Sequence, residues 1–318
     1  MASRRNDSPE LSVVTPLYNC LHHTKAMLES LASSLPRGLS HEVILVDDGS
    51  SDGTREWIAG LGAPYRVLLN ERNLGFGGAT NRGAAAARGR TLVLLNNDLF
   101  LPRGWLQPMQ RVLGALGPRA GLVGNVQLDA ASRQVDHAGI FINLKGKPEH
   151  LREDPGLCRS LLFPIRPVAA VTGACVLVRR QTWQLLGGFD EAYVNGCEDV
   201  DLCLRARAAG LVNAVALRSR VLHHVSASPG RKRRDEENTR RLVLEWRDEI
   251  ARIGSRGWAR TLFLPLLPEP RDYPDKLDAW RTALYLAHLT GEPPRSALAV
   301  MNLAIDGELA RWRKMFSD

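Results

Sequence analysis

Short runs of Val, Leu and Ile recur through the first two thirds of the chain, each followed by polar or turn-forming residues. The windows 11–15 (LSVVT), 42–46 (EVILV), 65–69 (YRVLL), 91–95 (TLVLL), 121–126 and 174–178 are largely continuous, not alternating. An apolar run bounded in this way predicts a strand buried on both faces. Helix-like stretches fall between the runs, at about 22–35, 54–60, 78–88 and 105–116. Strand and helix in alternation predict an α/β fold with a mostly parallel, doubly wound (Rossmann-like) sheet flanked by helices. Such sheets bind ligands beyond the carboxyl ends of their strands, so the residues after each run are where chemistry is sought.

From about residue 229 the pattern changes. Predicted strands cease, and Pro265, Pro268, Pro270 and Pro274 make a linker-like stretch. Helices are predicted at about 275–289 and 294–316, the second with Leu298, Met301, Leu309, Trp312 and Phe316 near helical spacing. The expected division is an α/β domain over 1–228 and a C-terminal helical extension over 229–318. The apolar face of the last helix suits core packing or a homodimer, with peripheral membrane contact as a further use.

Composition narrows the classes. A chain of 318 residues has room for about two domains, and a hydrophobic share of 44% excludes disorder. No apolar run approaches the roughly 20 residues of a membrane span. The start, MASRRNDSPE, lacks the apolar core of a secretory signal. Five dispersed cysteines without a CxxC pair argue against a disulfide framework or a zinc site. A reduced, cytoplasmic protein is expected. Lys and Arg number 42 against 34 Asp and Glu, a formal charge of +8. That excess suits nucleotide phosphates, an anionic membrane surface or nucleic acid. Much of it sits in Arg231, Lys232, Arg233, Arg234, Arg240 and Arg241, where no aromatic residue is interleaved and no nucleic-acid motif accompanies the charge. Nucleic acid is therefore not expected as a partner.

Three polar clusters fall at successive predicted strand ends: Thr15-Pro16-Leu17-Tyr18-Asn19, Asp47 to Thr54, and Asn96-Asn97-Asp98. Ser51 or Asp52 could simply cap the next helix. A carboxylate pair at the strand end itself, Asp47-Asp48, is instead suited to accept from a nucleobase N–H or a ribose hydroxyl. Asp98 suits a hard divalent cation that bridges phosphate oxygens, although Asn and Asp are also ordinary turn residues. The glycines at 75, 77 and 78 do not make a dinucleotide fingerprint. They predict a small-residue helix close to the sheet, whose first N–H groups could approach a phosphate. Glu198, Asp199 and Asp201 open a predicted helix, where acids are favoured by the dipole, but three carboxylates exceed a cap's needs. One of them is placed to take a proton. His223 and His224 close an apolar run, and adjacent residues on a strand point opposite ways, so at most one serves a site there.

Read together, VVTPLYN, ILVDDGSSDGT, NLGFGGATNRG, LLNNDLFLPRGWL, VTGACVLVRR, GGFDE and EDVDLCLRARAAG resemble, in order, the motifs of family 2 glycosyltransferases with the GT-A fold. The resemblance spans about residues 11–228 and is nearest to bacterial rhamnosyltransferase-type enzymes of cell-surface polysaccharide assembly. It implies that Thr15, Pro16 and Tyr18 line a nucleobase pocket and that Asp47 binds the base. Asp48 and Asn73 would lie close to the nucleoside with Asn81 nearby, and Asn97 would face the donor. Asp98 matches the last acid of the family's Asp-x-Asp motif and His223 its downstream histidine, the two residues that contact a divalent cation, Mn²⁺ or Mg²⁺. Asp199 matches the catalytic base, with Glu198 as the rival acid.

The first acid of Asp-x-Asp is replaced by Asn96, which leaves a metal-free mechanism open. The Gln-x-x-Arg-Trp signature of processive synthases is also absent, the nearest stretch being Leu244-Glu245-Trp246-Arg247. The resemblance therefore implies an inverting, non-processive transferase. Its donor is a UDP- or dTDP-linked sugar, and its acceptor is a glycan, lipid-linked or protein hydroxyl. A glycosyltransferase acting on protein or glycopeptide is an alternative within the fold. A non-catalytic nucleotide-sugar-binding module predicts a decayed acid set, yet Asp98, Glu198, Asp199 and His223 are all present. A nucleotidyltransferase would want a basic phosphate-gripping loop after the first strand, and Thr15–Asn19 offers none.

Overall fold

The computed structural model describes residues 8–224, 231–263, 265 and 275–316. The chain divides into two compact units, Met1–Ile140 with His150–Pro229, and Phe141–Glu149 with Gly230–Asp318. The first unit begins with β1 (Leu11–Leu17), α1 (Leu21–Ser34), β2 (His41–Asp47), α2 (Thr54–Ala59), β3 (Tyr65–Leu69), α3 (Gly75–Ala86) and β4 (Thr91–Leu95). After these come β5 (Leu99–Phe100), α4 (Leu106–Leu116), β6 (Ala120–Asp129) and β7 (Val135–His137), while β8 (Ile140–Ile142) and β9 (Pro148–His150) pair with each other and lie mostly in the 141–149 segment of the second unit. The first unit closes with α5 (Leu157–Leu162), β10 (Ile165–Pro167), β11 (Cys175–Arg179), α6 (Arg180–Leu186), α7 (Glu198–Ala208) and β12 (Val212–His223).

Ten strands make one sheet in the order β10-β12-β6-β11-β4-β1-β2-β3, with β5 against β12 and β7 against β6. β1 is parallel to β2 and to β4, and β2 to β3. Parallel neighbours need crossovers, and α1, α2 and α3 supply them. The chain steps outward from β1 to β2 and β3, then returns to lay β4 on the other side of β1. That reversal opens a crevice between the carboxyl ends of β1 and β4. β11 breaks the parallel run: it is antiparallel to both β4 and β6, with Cys175 opposite Leu95. Val13, Leu45, Val93 and Leu177 line one core face, covered by Met27, Leu31, Trp105, Leu106 and Met109.

Two local features place the site. The first is α3, which begins at Gly75, three residues ahead of the start that the apolar pattern predicts. Gly77 and Gly78 are poor helix formers, but donors in the first turn have distant acceptors. Asp48 takes the N–H groups of Leu74 (2.8 Å) and Gly75 (2.9 Å), and Asn195 Oδ1 takes that of Phe76 (3.0 Å). A carboxylate at a helix start also suits the dipole. The N–H groups of Leu74, Gly75 and Phe76, expected as candidates to approach a phosphate, are thus held by protein side chains. The second feature is β12, whose register against β6 slips between Ala216 and Arg220. Such a bulge bends the strand and re-aims the residues after it. Beyond it, His223 pairs antiparallel with Leu99 of β5.

The second unit contains α8 (Arg231–Glu245), α9 (Arg247–Trp258), α10 (Lys276–Leu286) and α11 (Arg295–Met315). α11 packs on α9 and α8; Met301, Ile305, Leu309 and Trp312 of α11 are buried, as are Ile250 and Ala251 of α9 and Leu242 and Val243 of α8. Glu236 accepts from Lys147 Nζ (3.2 Å), Arg311 Nη2 (2.5 Å) and Trp312 Nε1. The apolar face expected to serve packing, a dimer or lipid is thus used inside this unit, at least through Trp312. Pro268, Pro270, Pro274, Ser226 and Ser228 lie outside the described residues, as do the side chains of Arg231, Lys232 and Arg233. Among the described residues no helix is long and apolar enough to cross a membrane. None of the five cysteines is in a disulfide, and burial pushes the Cys175 thiol up to about 12.

Candidate active site

The loop after β1 is latched to the loop after β2. Asn19 N donates to Ser50 Oγ (2.8 Å), Asn19 Oδ1 accepts from Ser51 N (2.8 Å), and Leu21 N donates to Asp52 (3.0 Å). Asn19 and Cys20 adopt positive φ to make this turn. Thr15 is buried with no partner for its Oγ1, whereas the Tyr18 side chain is 55% exposed. Val14 lies against Leu94 in register, the last pair between β1 and β4, and Thr15 and Pro16 follow it.

The acidic pair after β2 is engaged by the protein. Asp47 is 0% exposed and accepts from Gly49 N (3.2 Å), Ser50 N (3.3 Å) and Arg55 Nη1 (3.1 Å). Asp48 takes the α3 start and Asn70 Nδ2 (2.7 Å). As it stands, Asp47 has no exposed oxygen for a base, and Asp48 shapes the 70–75 loop. Asn73 is exposed, with Oδ1 accepting from Gly75 N (2.9 Å), a local turn. Asn81, on α3, is engaged by the protein. It donates to Phe189 O and Glu191 Oε1 (both 2.9 Å) and accepts from Phe189 N (2.9 Å). Its amide therefore braces the Gly-Gly-Phe-Asp-Glu turn. Gly188 in that turn has φ +75°, and a Cβ there would stand 2.6 Å from Asn81 Oδ1.

At the end of β4 the three polar residues separate. Asn97 donates to Thr24 Oγ1 (3.0 Å) and Asn19 O (3.4 Å), so its amide nitrogen holds the loop to α1. Asn96 and Asp98, two residues apart, each keep a buried side-chain oxygen without a partner. Asp98 Oδ1 lies 3.3 Å from His223 Nε2 but is not aligned with it as a hydrogen bond. Two ligand atoms about 2.1 Å from one small cation stand roughly 3 Å apart when adjacent around it. A carboxylate oxygen and an imidazole nitrogen that approach without bonding fit that requirement. Among the described residues no cluster of three or more His, Cys, Asp or Glu could hold a metal ion. His224 N donates to Asp98 O (3.0 Å), while its ring lies by His23, centroids 4.9 Å apart. The two histidines thus have different neighbours.

The helix start at α7 separates its acids in the same way. Glu198 accepts from Gly196 N (2.6 Å), within its own turn. Asp201 pairs with Arg205 (2.7 Å). Asp199 accepts from Gly173 N (2.7 Å) and Val200 N (2.8 Å). Burial raises its carboxyl above the usual range, against the lowering effects of the Gly173 bond and the charge of His150. Gly173 precedes Ala174, whose carbonyl accepts from Asn96 N (2.9 Å), so one turn ties Asp199 to the loop that carries Asp98. Thr172 N approaches His137 Nε2 (3.5 Å), and the His137 ring meets His150 edge-on at 4.7 Å. Burial, then the charges of His150 and His223, hold His137 well below its ordinary pKa. No spacing in the sequence marks Asn96 apart from Asn97, nor His137 at all; only unmet buried atoms single them out.

A parallel sheet reversed about β1, with antiparallel β11 set between β4 and β6 and helices on its faces, is the architecture of the GT-A glycosyltransferases. Residues 12–159 match the family described as Glycosyl transferase family 2, so this part of the chain is a domain of that family. It is 32% identical, over 73% of its length, to "Uncharacterized protein y4gI" of Sinorhizobium fredii, of which it covers 26%. It is 30% identical over 70% of its length to O-antigen biosynthesis protein RfbC of Myxococcus xanthus, covering 18% of it. The chain thus spans about a quarter or less of these two relatives. It covers 78% of the N-acetylglucosaminyl-diphospho-decaprenol L-rhamnosyltransferase of Mycobacterium tuberculosis, at 29% identity over 70% of its own length. Its fold is similar to GalNAc-T7, solved with UDP, GalNAc and Mn²⁺ (TM-score 0.60, 18% identity, 88% of this chain and 55% of that one). It is also similar to S. aureus TarS 1-349 (TM-score 0.55, 15% identity, 96% and 91%).

Proposed function

We propose that this chain is an inverting, non-processive glycosyltransferase. It moves a sugar from a UDP- or dTDP-linked donor to a hydroxyl acceptor in cell-surface glycan assembly. The observation that carries the reading is the meeting of Asp98 and His223, with an unmet buried carboxylate oxygen between the ends of β4 and β12. Asp98 and His223 would hold a divalent cation, Mn²⁺ or Mg²⁺, which when bound neutralises charge on the departing diphosphate. Asp199 takes the acceptor hydroxyl's proton as the new bond forms, oriented by Gly173 N and Val200 N. Thr15, Pro16 and the exposed Tyr18 ring shape the base pocket; Asp47, Asp48 and Asn73 hold its loops. The names of the O-antigen and decaprenol rhamnosyltransferase relatives support a glycan or lipid-linked acceptor and a deoxyhexose such as rhamnose.

A thermal-shift panel of nucleoside diphosphates and nucleotide sugars, with and without Mn²⁺, tests the reading. A ligand at 100 times its Kd stabilises by about 2.7 kcal/mol. UDP or dTDP compounds should raise Tm, further with Mn²⁺, and Asp98→Ala should abolish the Mn²⁺-dependent part alone. If no nucleoside diphosphate shifts Tm under any condition, the donor site is wrong. A product that keeps the donor's anomeric configuration excludes the single displacement.

A further inference from the structure

Four large apolar side chains face water on one short segment of the first unit. Leu157 is 74% exposed, Leu161 52%, Leu162 74% and Phe163 65%. The segment is held by hydrogen bonds at both ends. Asp154 accepts from Gly156 N (2.9 Å) and pairs with Arg220 (2.6 Å). Phe163 N donates to Arg159 O (2.8 Å), and Leu217 N to Pro164 O (3.0 Å). The backbone therefore presents these side chains outward in a fixed arrangement. Single apolar residues at a surface are ordinary, but four within 157–163 make a patch of the kind that marks an interaction surface.

The charges around the patch indicate what covers it. Arg152, Arg159 and Arg166 in the segment 152–166, and Arg218 and Arg220 just beyond the stretch of β12 that pairs with β10, outnumber the nearby acids: Asp154 pairs with Arg220, Asp136 pairs with Arg152, and Glu153 is the third. A second copy docking here by twofold symmetry would set these arginines against one another. An anionic bilayer suits both components: its interface accepts Leu and Phe, and its phosphates accept guanidinium groups. Position agrees as well. β10 runs antiparallel to β12, so α5, which precedes β10, lies toward the carboxyl end of β12, where His223 stands.

We propose that α5 and Phe163 form the surface by which this unit docks on an anionic bilayer, with its crevice rim at the lipid interface. The docking is independent of the transfer reaction proposed above, since vesicle binding is read with no nucleotide present. The test is flotation of the full chain with phosphatidylcholine vesicles containing phosphatidylglycerol, against phosphatidylcholine alone. The wild type should float with the anionic vesicles and be released by salt. A Leu161→Ser/Leu162→Glu/Phe163→Ser variant alters only exposed positions and should keep its circular dichroism. It should bind at least about tenfold more weakly. In Leu162→Trp, anionic vesicles should blue-shift the added fluorescence. The proposal is overturned if the wild type stays with the soluble fraction, if the triple variant floats equally well, or if light scattering finds a dimer that the triple variant abolishes.

Discussion

Asn96 and Asn97 are neighbours with opposite uses: the Asn97 amide is bound to α1, and Asn96 keeps a buried oxygen that is unmet, as does Asp98. The same sorting separates Glu198, turned to its own backbone, from Asp199, hung on the Gly173 amide. For the proposed base, Asp199→Asn keeps the shape and should lower turnover by about 10² or more, with nucleotide affinity little changed. Because burial raises this carboxyl, activity should fall on acidification through a pKa above the usual carboxylate range. A base works only when ionised, so that acidic limb should disappear in the residual activity of Asp199→Asn. If Asp199→Asn turns over normally while Glu198→Gln is dead, the base is Glu198.

Among the elements, α3 shows how a weak local signal becomes a firm structure. Its small residues allow the helix to lie directly on β1 and β2. A Cβ at Gly83 would stand 2.4 Å from Val14 Cγ1 and 2.9 Å from Val46 Cγ2. Alanine gains about 1 kcal/mol of helix propensity. The overlap falls on two stiff β-branched side chains in a closed core, and overpacking costs about 1–3 kcal/mol. Gly83→Ala should therefore lower stability in urea by about 1 kcal/mol; an unchanged midpoint would mean that α3 can shift freely on the sheet. The strands of the parallel half are legible because burial on both faces writes continuous apolar runs. β5, β7, β8, β9 and β10 have two or three residues each, too few to carry a period.

In the molecule as a whole, the end of the sheet opposite the crevice is clamped by one carboxylate. Glu42 accepts from Ser12 Oγ (2.7 Å), Arg88 N (2.7 Å) and Arg66 Nη1 (3.0 Å). Burial alone would raise its pKa, but these bonds and the Arg88 charge lower it from 4.5 to about 2. A depressed carboxylate stabilises the fold above its unfolded pKa, and that contribution disappears as pH falls through the folded value. It amounts to about 2–3 kcal/mol. Between pH 5 and 2 the wild type should lose about that much more unfolding free energy than Glu42→Gln, as followed by urea titration. Parallel pH profiles would remove Glu42 from this role.

The apolar runs, the order of the polar clusters and the seven motifs carry the α/β class, the crevice's location and the family, because burial period and strand-end chemistry are local properties. Which members of each cluster remain available is not local. Asp47, Asp48, Asn81 and Asn97 resemble ligand-binding residues in sequence, yet donors and acceptors from elsewhere in the chain engage each of them. The bulge in β12 aims His223 at Asp98, and antiparallel β11 brings Gly173 to Asp199. A carboxylate's role follows from the hydrogen bonds left unmet once the strands are paired, and only the folded sheet determines that remainder.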